Sequence, residues 1–474
     1  MTTRPKNNPK RTESPSAEVH SIGRYEAEAS PPLADLDATF TRWLGVDYDL
    51  DAIHATLAAA AAIRLDGDPV WLLLVSGPGN AKTETVASLQ GTGAHIVSTI
   101  ASAGALLSAT SKGERAAEAT GGLLKTIGEI GVLVLKDFTS IMSLAQSSRT
   151  EVLAALREIY DGKWIRTVGT DGGRTLGWTG RIALIGAVTT EWDRAHTTVS
   201  SMGDRFVLLR MDSTLGRLSG GRRAIANTGS EVQMRHELAQ AVKSVLDGAG
   251  TIAAVLDDHE GETLLRAADL VTKSRTAVYR DGQGNVTDAH APEMPTRFAK
   301  QLSQIVRGGT AIGMGSEGAM RLAIRCARDS MPPLRLVILC DLSMHGESLV
   351  ADVRKRVDKP HNTIDRELTA LHMLGLVTLR EENYFSREKE RIRWHYSISP
   401  GIDTAAVFPE KYVPPHPLEG WGTSCPDVGD LHGSTSFPGN EETSDQDAAD
   451  LERGARGNQL FESEKYFARK EGTC

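Results

Sequence analysis

The stretch Val70–Thr83, VWLLLVSGPGNAKT, decides the fold of this chain. Its first part, Val70–Val75, is an apolar run that predicts a buried parallel strand, and Lys82 and Thr83 open a helical pattern. Between them lies a glycine-rich turn, which places several backbone N–H groups and the positive end of a helix dipole at one point. Such a concave set of N–H groups suits a triphosphate.

We expect this turn to bind nucleotide through seven consecutive residues, namely Gly77, Pro78, Gly79, Asn80, Ala81, Lys82 and Thr83. In phosphate-binding loops of this kind, the lysine reaches the β and γ phosphates and the following hydroxyl binds Mg²⁺. Two positions depart from the strict pattern, because Ser76 and Ala81 stand where glycine is usual. The alternative is a strand–helix turn without a ligand.

Three further apolar runs continue the alternation of strand and helix. They are His95–Ile100, Val132–Leu135 and Ile182–Ala187, and helical stretches separate them. Parallel strands that alternate with helices pack into layers, with the sheet in the middle. The sequence therefore predicts an α/β fold whose three-layer core contains a parallel sheet.

The loop Ser76–Thr83, SGPGNAKT, resembles the nucleotide-binding segment of AAA+ ATPases. The alanine before the lysine is the variant found in replicative helicases of the MCM type. The resemblance covers approximately residues 70–320 and implies ATP and Mg²⁺ as ligands and a homo-oligomer as the active form. It does not extend to the N-terminus, where MCM helicases carry a large DNA-binding domain.

A second motif, Gly131–Thr139, is an apolar strand that ends in Lys136 and Asp137. It resembles the acidic strand of the same family, in which an aspartate organises Mg²⁺ and a glutamate activates the attacking water. By position, Lys136 falls on the aspartate and Asp137 on the glutamate, and a lysine directed at Mg²⁺ repels the ion. Either Asp137 takes over one or both roles, or ATP binds and is hydrolysed slowly. A third interpretation makes Asp137 a cap of the next helix.

Residues 163–181 show the pattern of a β-hairpin ahead of a core strand. They resemble the hairpin that, in MCM-like ATPases, projects into a central channel and touches DNA. The resemblance makes Lys163, Arg166 and Arg174 candidate phosphate contacts. A solvated hairpin surface explains the same charges equally well.

The resemblance also assigns three further catalytic residues. Thr189 takes the place of the polar sensor that positions the hydrolytic water. Arg205 takes the place of the arginine finger, which stabilises the transferring phosphoryl group and can come from a neighbouring subunit. Arg297 takes the place of the lid arginine, which touches the γ phosphate and couples the lid angle to the nucleotide state. Ordinary helix-terminal arginines without a ligand are the alternative for both.

Residues 348–398 predict two short helices and a hairpin, a pattern that resembles a winged helix-turn-helix. The second helix, Thr363–Leu374, is the candidate recognition helix for a major groove, and the hairpin is the wing, which offers cations to phosphates. The candidate DNA contacts are His361, Asn362, Thr363, Arg366, Arg387, Lys389, Arg391 and Arg393. Protein contacts or packing against the lid are the alternative use of such a module.

Composition sets the remaining boundaries. We expect a disordered segment 1–33, an ATPase core 34–230, a helical lid 231–330, the winged helix 331–400 and a disordered acidic tail 401–474. The tail holds 14 acidic and 6 basic residues, which accounts for the whole net charge of −8, so the first 400 residues are neutral and a nucleic-acid surface is not excluded. The chain shows no long apolar run, no secretory signal and no paired cysteine spacing, which favours a cytoplasmic location without membrane contact.

Two functions fit these patterns. The first is an oligomeric ATPase that remodels or unwinds DNA, as MCM-like or initiator-like motors do, for example in the replication of a mobile element. The second is a winged-helix transcriptional regulator whose ATP site acts as a switch with little turnover, and Lys136 favours it. A third, weaker interpretation is a partner that loads another helicase.

Overall fold

We describe the fold from a computed structural model of the chain. The structure describes residues 31–110, 120–169, 173–194, 204–214, 216–386 and 389–412. Residues 1–30 and 413–474, which make up most of the two segments expected to be disordered, lie outside the described residues. All described residues belong to one compact unit, so the predicted core, lid and C-terminal module pack together.

A five-stranded parallel sheet forms the centre of the fold. Its strands are β1 (Trp71–Val75), β2 (His95–Val97), β3 (Ile130–Leu135), β6 (Arg181–Val188) and β7 (Val207–Arg210), in the spatial order β2-β3-β6-β1-β7. All residues of β1 are buried, as expected of a strand with helices on both faces. The predicted α/β class with a parallel sheet is confirmed. The edge strand β7 was not predicted, because its three apolar residues are too few to show a pattern.

Alternation along the strands divides the hydrophobic core between the two faces of the sheet. The even-numbered residues of β1 belong to one buried cluster and the odd-numbered residues to another. Helix α2 (Leu50–Ala62) contributes to the first cluster, and α7 (Gln146–Tyr160) contributes to the second. Helices therefore cover both faces, an arrangement compatible with three layers.

The other helices near the sheet flank its strands in chain order. Those before β7 are α1 (Pro31–Leu44), α3 (Lys82–Ala87), α4 (Ala103–Leu106), α5 (Leu123–Ile127) and α6 (Thr139–Met142). Those after β7 are α8 (Arg217–Ala226), α9 (Glu231–Asp247), α10 (Asp258–Arg275), α11 (Thr296–Ala311) and α12 (Ser316–Asp329). The predicted hairpin is also confirmed: β4 (Lys163–Val168) pairs antiparallel with β5 (Arg174–Thr179).

A small antiparallel hairpin interrupts the helices of the predicted lid. It consists of β8 (Val278–Arg280) and β9 (Val286–Ala289), between α10 and α11. The Asp281 carboxylate accepts N–H bonds from Gln283 and Asn285, which stabilises the turn between the two strands. Residues 231–330 were expected to be helical with breaks, so this hairpin is a correction.

The C-terminal part combines three helices with a three-stranded antiparallel sheet. The elements are α13 (Pro333–His345), β10 (Ser348–Leu349), α14 (Val350–Val357), α15 (His361–Met373), β11 (Val377–Ser386) and β12 (Lys389–Ile398), with the strand order β10-β12-β11. Arg356 donates two bonds to the fully buried carboxylate of Asp341, at 2.6 and 2.7 Å, which ties α14 to α13. The predicted order of helices followed by a hairpin is confirmed.

Residues 401–412 correct the predicted boundary of the acidic tail. They form two short 3₁₀ helices, Thr404–Val407 and Glu410–Tyr412. Val407 and Tyr412 are buried in the same cluster as α2 and the C-terminal helices. The expectation of disorder is wrong here, because a few apolar residues within a polar segment reach the core.

Two other expectations concern membranes and cysteines. In the described part of the chain, none of the helices combines the length and the apolar character that a membrane span requires. Among the described residues, Cys326 is a buried free thiol.

Candidate functional site

The candidate nucleotide loop joins the carboxyl end of β1 to the start of α3. Ser76 continues the strand, since its N–H donates to the carbonyl oxygen of Val188 in β6, at 3.3 Å. Gly79 and Ala81 then take the left-handed conformation, with φ of 81° and 53°. A Cβ makes that conformation unfavourable by about 1–2 kcal/mol, which explains why glycine is usual at the position of Ala81.

Lys82 lies inside the loop. It is 8% exposed, and its Nζ donates to the carbonyl oxygen of Gly77 at 2.9 Å. Burial lowers the pKa of Lys82, and the negative charge of Asp137 opposes this shift. Pro78 and Thr83 are exposed at the mouth of the loop. The ammonium group is therefore held by a backbone carbonyl of the loop itself.

Contacts with the segment after β7 hold the loop in place. The Nδ2 of Asn80 donates to the carbonyl oxygen of Asp212 at 2.8 Å. Ser213 lies against Gly77, and its Oγ is 3.0 Å from the point that a Cβ on the glycine would occupy. A larger residue at position 77 would therefore push this segment away from the loop.

Helix α3 contacts two other parts of the chain. The Tyr48 hydroxyl lies 2.8 Å from the Thr85 hydroxyl, and burial raises the pKa of Tyr48 above its usual range. Glu84 pairs with Arg235 of α9 at 2.8 Å. These contacts connect the helix behind the loop to the segment before α2 and to the predicted lid.

Three polar side chains meet at the carboxyl edge of the sheet, beside the loop. Because β1, β3 and β6 are parallel neighbours, the residues that follow them lie at one edge. Asp137 and Thr139 follow β3, and Thr189 follows β6. The Thr139 Oγ1 accepts a bond from the N–H of Thr189 at 3.1 Å and lies 3.4 Å from the Thr189 hydroxyl. The predicted sensor residue thus adjoins the acidic motif.

The two residues at the end of β3 differ in their surroundings. Asp137 is exposed, and its Oδ1 accepts a bond from the N–H of Thr139 at 3.0 Å, as in a helix cap. The second carboxylate oxygen remains available, so the cap and the carboxylate interpretations are compatible. Lys136 is half-buried, and its N–H donates to the carbonyl oxygen of Val97 at 3.0 Å.

Arg205 lies at the opposite, amino edge of the sheet, two residues before β7. Its side chain is 10% exposed, and its Nη2 donates to the two carboxylate oxygens of Asp161, at 3.0 and 3.4 Å. Its guanidinium group lies over the ring of Tyr160, 5.8 Å from the centroid. Within one chain Arg205 therefore has a partner, which it must release before it can contact a phosphate.

Arg297 lies at the amino edge as well, in the first turn of α11. Its Nη1 donates to the Oε1 of Glu293 at 3.0 Å. One turn later, Gln301 accepts a bond from the N–H of Trp71, the first residue of β1, at 3.3 Å. This contact fixes the start of α11 beside the start of the central strand.

The two arginines are linked through Arg275, which lies 2.9 Å from Glu293, the partner of Arg297, and 3.8 Å from Asp204, the residue before Arg205. Burial raises the pKa of Tyr160, and the charges of Arg297 and Arg205 both oppose that rise. β1 has five residues, so its two ends are roughly 16 Å apart. The structure therefore brings Arg205 and Arg297 together but does not bring either to the loop of its own chain. The contact of Arg297 with a γ phosphate stays a prediction.

The candidate DNA contacts of the hairpin have different surroundings. Lys163 is exposed. Arg166 donates to the carbonyl oxygen of Leu107, and Arg174 donates to that of Thr110, both at 3.1 Å. Both arginines are therefore directed toward the body of the protein, and Lys163 is the one accessible cation of the three.

The candidate recognition helix presents its first residues to solvent. His361 and Asn362 are exposed, and Thr363 is half-buried. Arg366 donates to the carbonyl oxygen of Gln283 at 2.7 Å, in the turn of the β8–β9 hairpin. This hairpin covers the middle of the helix and leaves its N-terminal turn accessible.

The long hairpin of β11 and β12 carries the remaining candidates. Arg393 is exposed and its guanidinium lies over the ring of Tyr384, 3.7 Å from the centroid, whereas Arg391 is half-buried. Arg391 and Arg393 are two residues apart on β12, so they share a face of the hairpin. Arg387 and the side chain of Lys389 lie outside the described residues.

Whether Mg²⁺ fits the site depends on the oxygen donors that the site offers. The hydroxyl of Thr83 and the carboxylate of Asp137 are both exposed near the loop. Mg²⁺ commonly takes one or two protein oxygens and completes its shell with phosphates and water. Among the described residues, no group of three or more His, Cys, Asp or Glu side chains could hold a metal ion. The donors therefore suit an ion that arrives with a nucleotide.

Sequence reasoning missed several contacts at the site. Thr139 was part of the quoted motif, but its contact with Thr189 joins residues that are 50 positions apart. Ser213 and Asp212 had no signal, since they lie in an irregular segment. Compared with models of protein families and with curated proteins, the chain matches none of them.

Proposed function

We propose that this chain is an ATPase of the AAA+ type that couples ATP binding or hydrolysis to DNA binding or remodelling. The position of Lys82 carries the proposal, because its ammonium group lies buried within a glycine-rich loop, at the edge of the sheet where Asp137 also lies. An ammonium group bound to one neutral carbonyl gains a stronger, charge-assisted bond when a phosphate replaces that carbonyl. A turn without a ligand gives no reason to bury a lysine.

The carboxyl edge of the sheet would then perform the chemistry. The backbone N–H groups of the loop and Lys82 hold the phosphates, and Thr83 and Asp137 hold Mg²⁺, which neutralises the charge that develops on the phosphates. Asp137 has an oxygen available to orient the attacking water. The pair of Thr139 and Thr189 fixes the position of that water from the neighbouring strands.

The amino edge supports an oligomeric form. Arg205 and Arg297 both lie at the far edge from the loop, so the two arginines of one chain would act on the nucleotide of the next. A contact between two different edges is heterologous, and repetition of such a contact generates a ring or a filament. Arg205 would exchange Asp161 for the γ phosphate, and Arg297 would exchange Glu293.

The C-terminal module supports the DNA part of the proposal, as a winged helix. The accessible turn with His361 and Asn362 would enter a major groove, while Arg391 and Arg393 would contact phosphates. Arg366, which is bound to the β8–β9 turn, is the weakest of the candidate contacts. We assign the core DNA contact to Lys163, the exposed cation of the hairpin.

The test measures nucleotide affinity and turnover on the full chain. We expect a fluorescent ATP analogue to bind in the presence of Mg²⁺, and we expect the hydrolysis rate per chain to rise with chain concentration and with added duplex DNA. A folded sample without affinity for any nucleotide would refute the proposal.

An ATP-switched DNA-binding regulator is the second candidate function. Two observations favour it: Lys136 stands at the end of β3, and Arg205 is held by Asp161. This candidate predicts tight ATP binding, negligible turnover at any chain concentration, and a DNA affinity that changes with the bound nucleotide.

A further inference from the structure

Helix α8 has none of its residues buried. Leu218 and Ile225 are 74% and 76% exposed, and Arg222 lies between them on the same face because the spacings are four and three residues. Arg217 and Arg223 add two more exposed guanidinium groups, and the helix contains no acidic residue. An isolated helix of this length is marginal in water, so a partner that covers α8 would also stabilise it.

The helix begins directly beside the candidate nucleotide site. The segment that leads into it contacts the loop through Asp212 and Ser213. Gly216, at the start of α8, lies against the side chain of Asp47. A second molecule that approached the phosphates closely would therefore also cover α8.

The composition of α8 favours a protein surface over a nucleic acid. Phosphates would satisfy the three guanidinium groups, but a phosphate backbone offers little to Leu218 and Ile225. Burial of apolar surface against another protein stabilises a complex. A partner surface with carboxylates and an apolar side chain fits both features.

The chain carries such a surface around Arg205 and Arg297, which we call the finger face. Its carboxylates are those of Asp66 and Asp161, which are exposed, and of Asp68, which is half-buried and pairs with Lys300 at 3.3 Å. Its exposed apolar side chain is Met294, at 70%. When Arg205 leaves Asp161 to bind a phosphate, that carboxylate loses its partner. Three guanidinium groups of a neighbouring α8 are then suitable replacements.

We propose that α8 is the docking helix for the finger face of a second copy of this chain. Leu218 and Ile225 pack near Met294, and the arginines of α8 pair with the carboxylates of Asp66, Asp68 and Asp161. The proposal rests on the proposed function, because it assumes that the finger face of one copy meets the nucleotide site of another. The docking role of α8 adds the surface that holds the two copies together.

Charge reversal tests this contact on the full chain, with sedimentation velocity in ATP and Mg²⁺ as the measurement. Arg222→Glu with Arg223→Glu should weaken self-association about tenfold or more, and Asp66→Arg with Asp68→Arg should do the same. The chain with all four changes should associate within about threefold of the wild type, because the charges are then complementary again. The control is Arg354→Glu with Lys355→Glu, an adjacent basic pair exposed on α14, which should leave association unchanged.

Nucleotide affinity, measured on the same samples, separates this inference from the proposed function. A wild-type chain that binds no nucleotide refutes the function. A chain that binds nucleotide, and in which the α8 pair leaves association unchanged, refutes the docking role of α8. Two further results also overturn it: no recovery in the fourfold variant, or a loss of DNA affinity without a loss of association.

Discussion

The two edges of the parallel sheet have opposite character. The carboxyl edge holds an open loop, exposed oxygen donors and a lysine bound to one carbonyl oxygen. The amino edge holds two arginines whose charges are already matched, Arg205 by Asp161 and Arg297 by Glu293. The first edge is prepared for a ligand, and the second is occupied within its own chain.

Under the proposed function, this difference would keep a single chain from hydrolysing ATP on its own. The groups proposed to bind a triphosphate and those proposed to stabilise its transition state do not meet within one molecule, since a strand length separates them. Catalysis would then depend on assembly, and assembly would require the arginines to exchange partners. The following predictions test this division, beginning with the largest effect.

Arg205→Ala should lower turnover about a thousandfold, because an arginine finger contributes 10³ or more to phosphoryl transfer. ATP affinity should stay within about threefold of the wild type, since the guanidinium group acts in the transition state. Steady-state hydrolysis and analogue titration measure the two effects. Equal losses in both would place Arg205 in ground-state binding or in folding. Asp161→Ala is the matched control, because it breaks the same ion pair but keeps the arginine.

Lys82→Ala should weaken ATP binding about a hundredfold, through the loss of charge-assisted bonds to two phosphates. Titration of the full chain with a fluorescent analogue measures the loss. Lys300→Ala is the control at the amino edge, where Lys300 forms a surface ion pair with Asp68 at 3.3 Å. It should leave the affinity unchanged, and a comparable loss in the control would contradict the separation of the edges.

Thr139→Val should lower turnover about fivefold and leave ATP affinity unchanged, which corresponds to the loss of one hydrogen bond of about 1 kcal/mol. The bond in question is the one that Thr139 accepts from the N–H of Thr189. Thr126→Val, at an exposed position of α5, is the control. Unchanged turnover in Thr139→Val would show that this pair does not position the attacking water.

Ala81→Gly should have the smallest effect. It relieves the left-handed strain at φ 53° but adds freedom to the unfolded chain. The two contributions oppose each other, so the free energy of unfolding should rise by no more than about 1 kcal/mol. Urea denaturation measures this change in the free energy of unfolding. A clear loss of stability would mean that the alanine methyl group packs usefully in the loop.

Much of the fold could be predicted because its signals are local. The apolar runs of β1, β3 and β6, and the turn between β4 and β5, are visible within a few residues. β7 was missed because its partner β1 is distant in the sequence. The β8–β9 hairpin was missed because strands of three and four residues are too short to show an alternating pattern. Residues 401–412 were misjudged for a related reason, since their composition is polar and only their contacts show burial.

The candidate site was predictable in residue type but not in arrangement. The resemblance supplied Lys82, Asp137 and Thr189, and the register of the strands places these near one another. Nothing local indicates that Arg205 pairs with Asp161, 44 positions earlier in the chain. The position of Arg297 at the far edge also depends on how α11 packs beside β1, which periodicity does not reveal.

The most direct test of the separated edges mixes two inactive variants. Lys82→Ala removes the lysine of the loop and keeps both arginines, whereas Arg205→Ala keeps that lysine and removes one arginine. In a head-to-tail assembly of equal amounts, about one quarter of the contacts join an intact loop to an intact arginine. Turnover should therefore recover to about a quarter of the wild-type rate. A mixture as inactive as its components, while the wild type is active and both variants associate normally, would contradict the account.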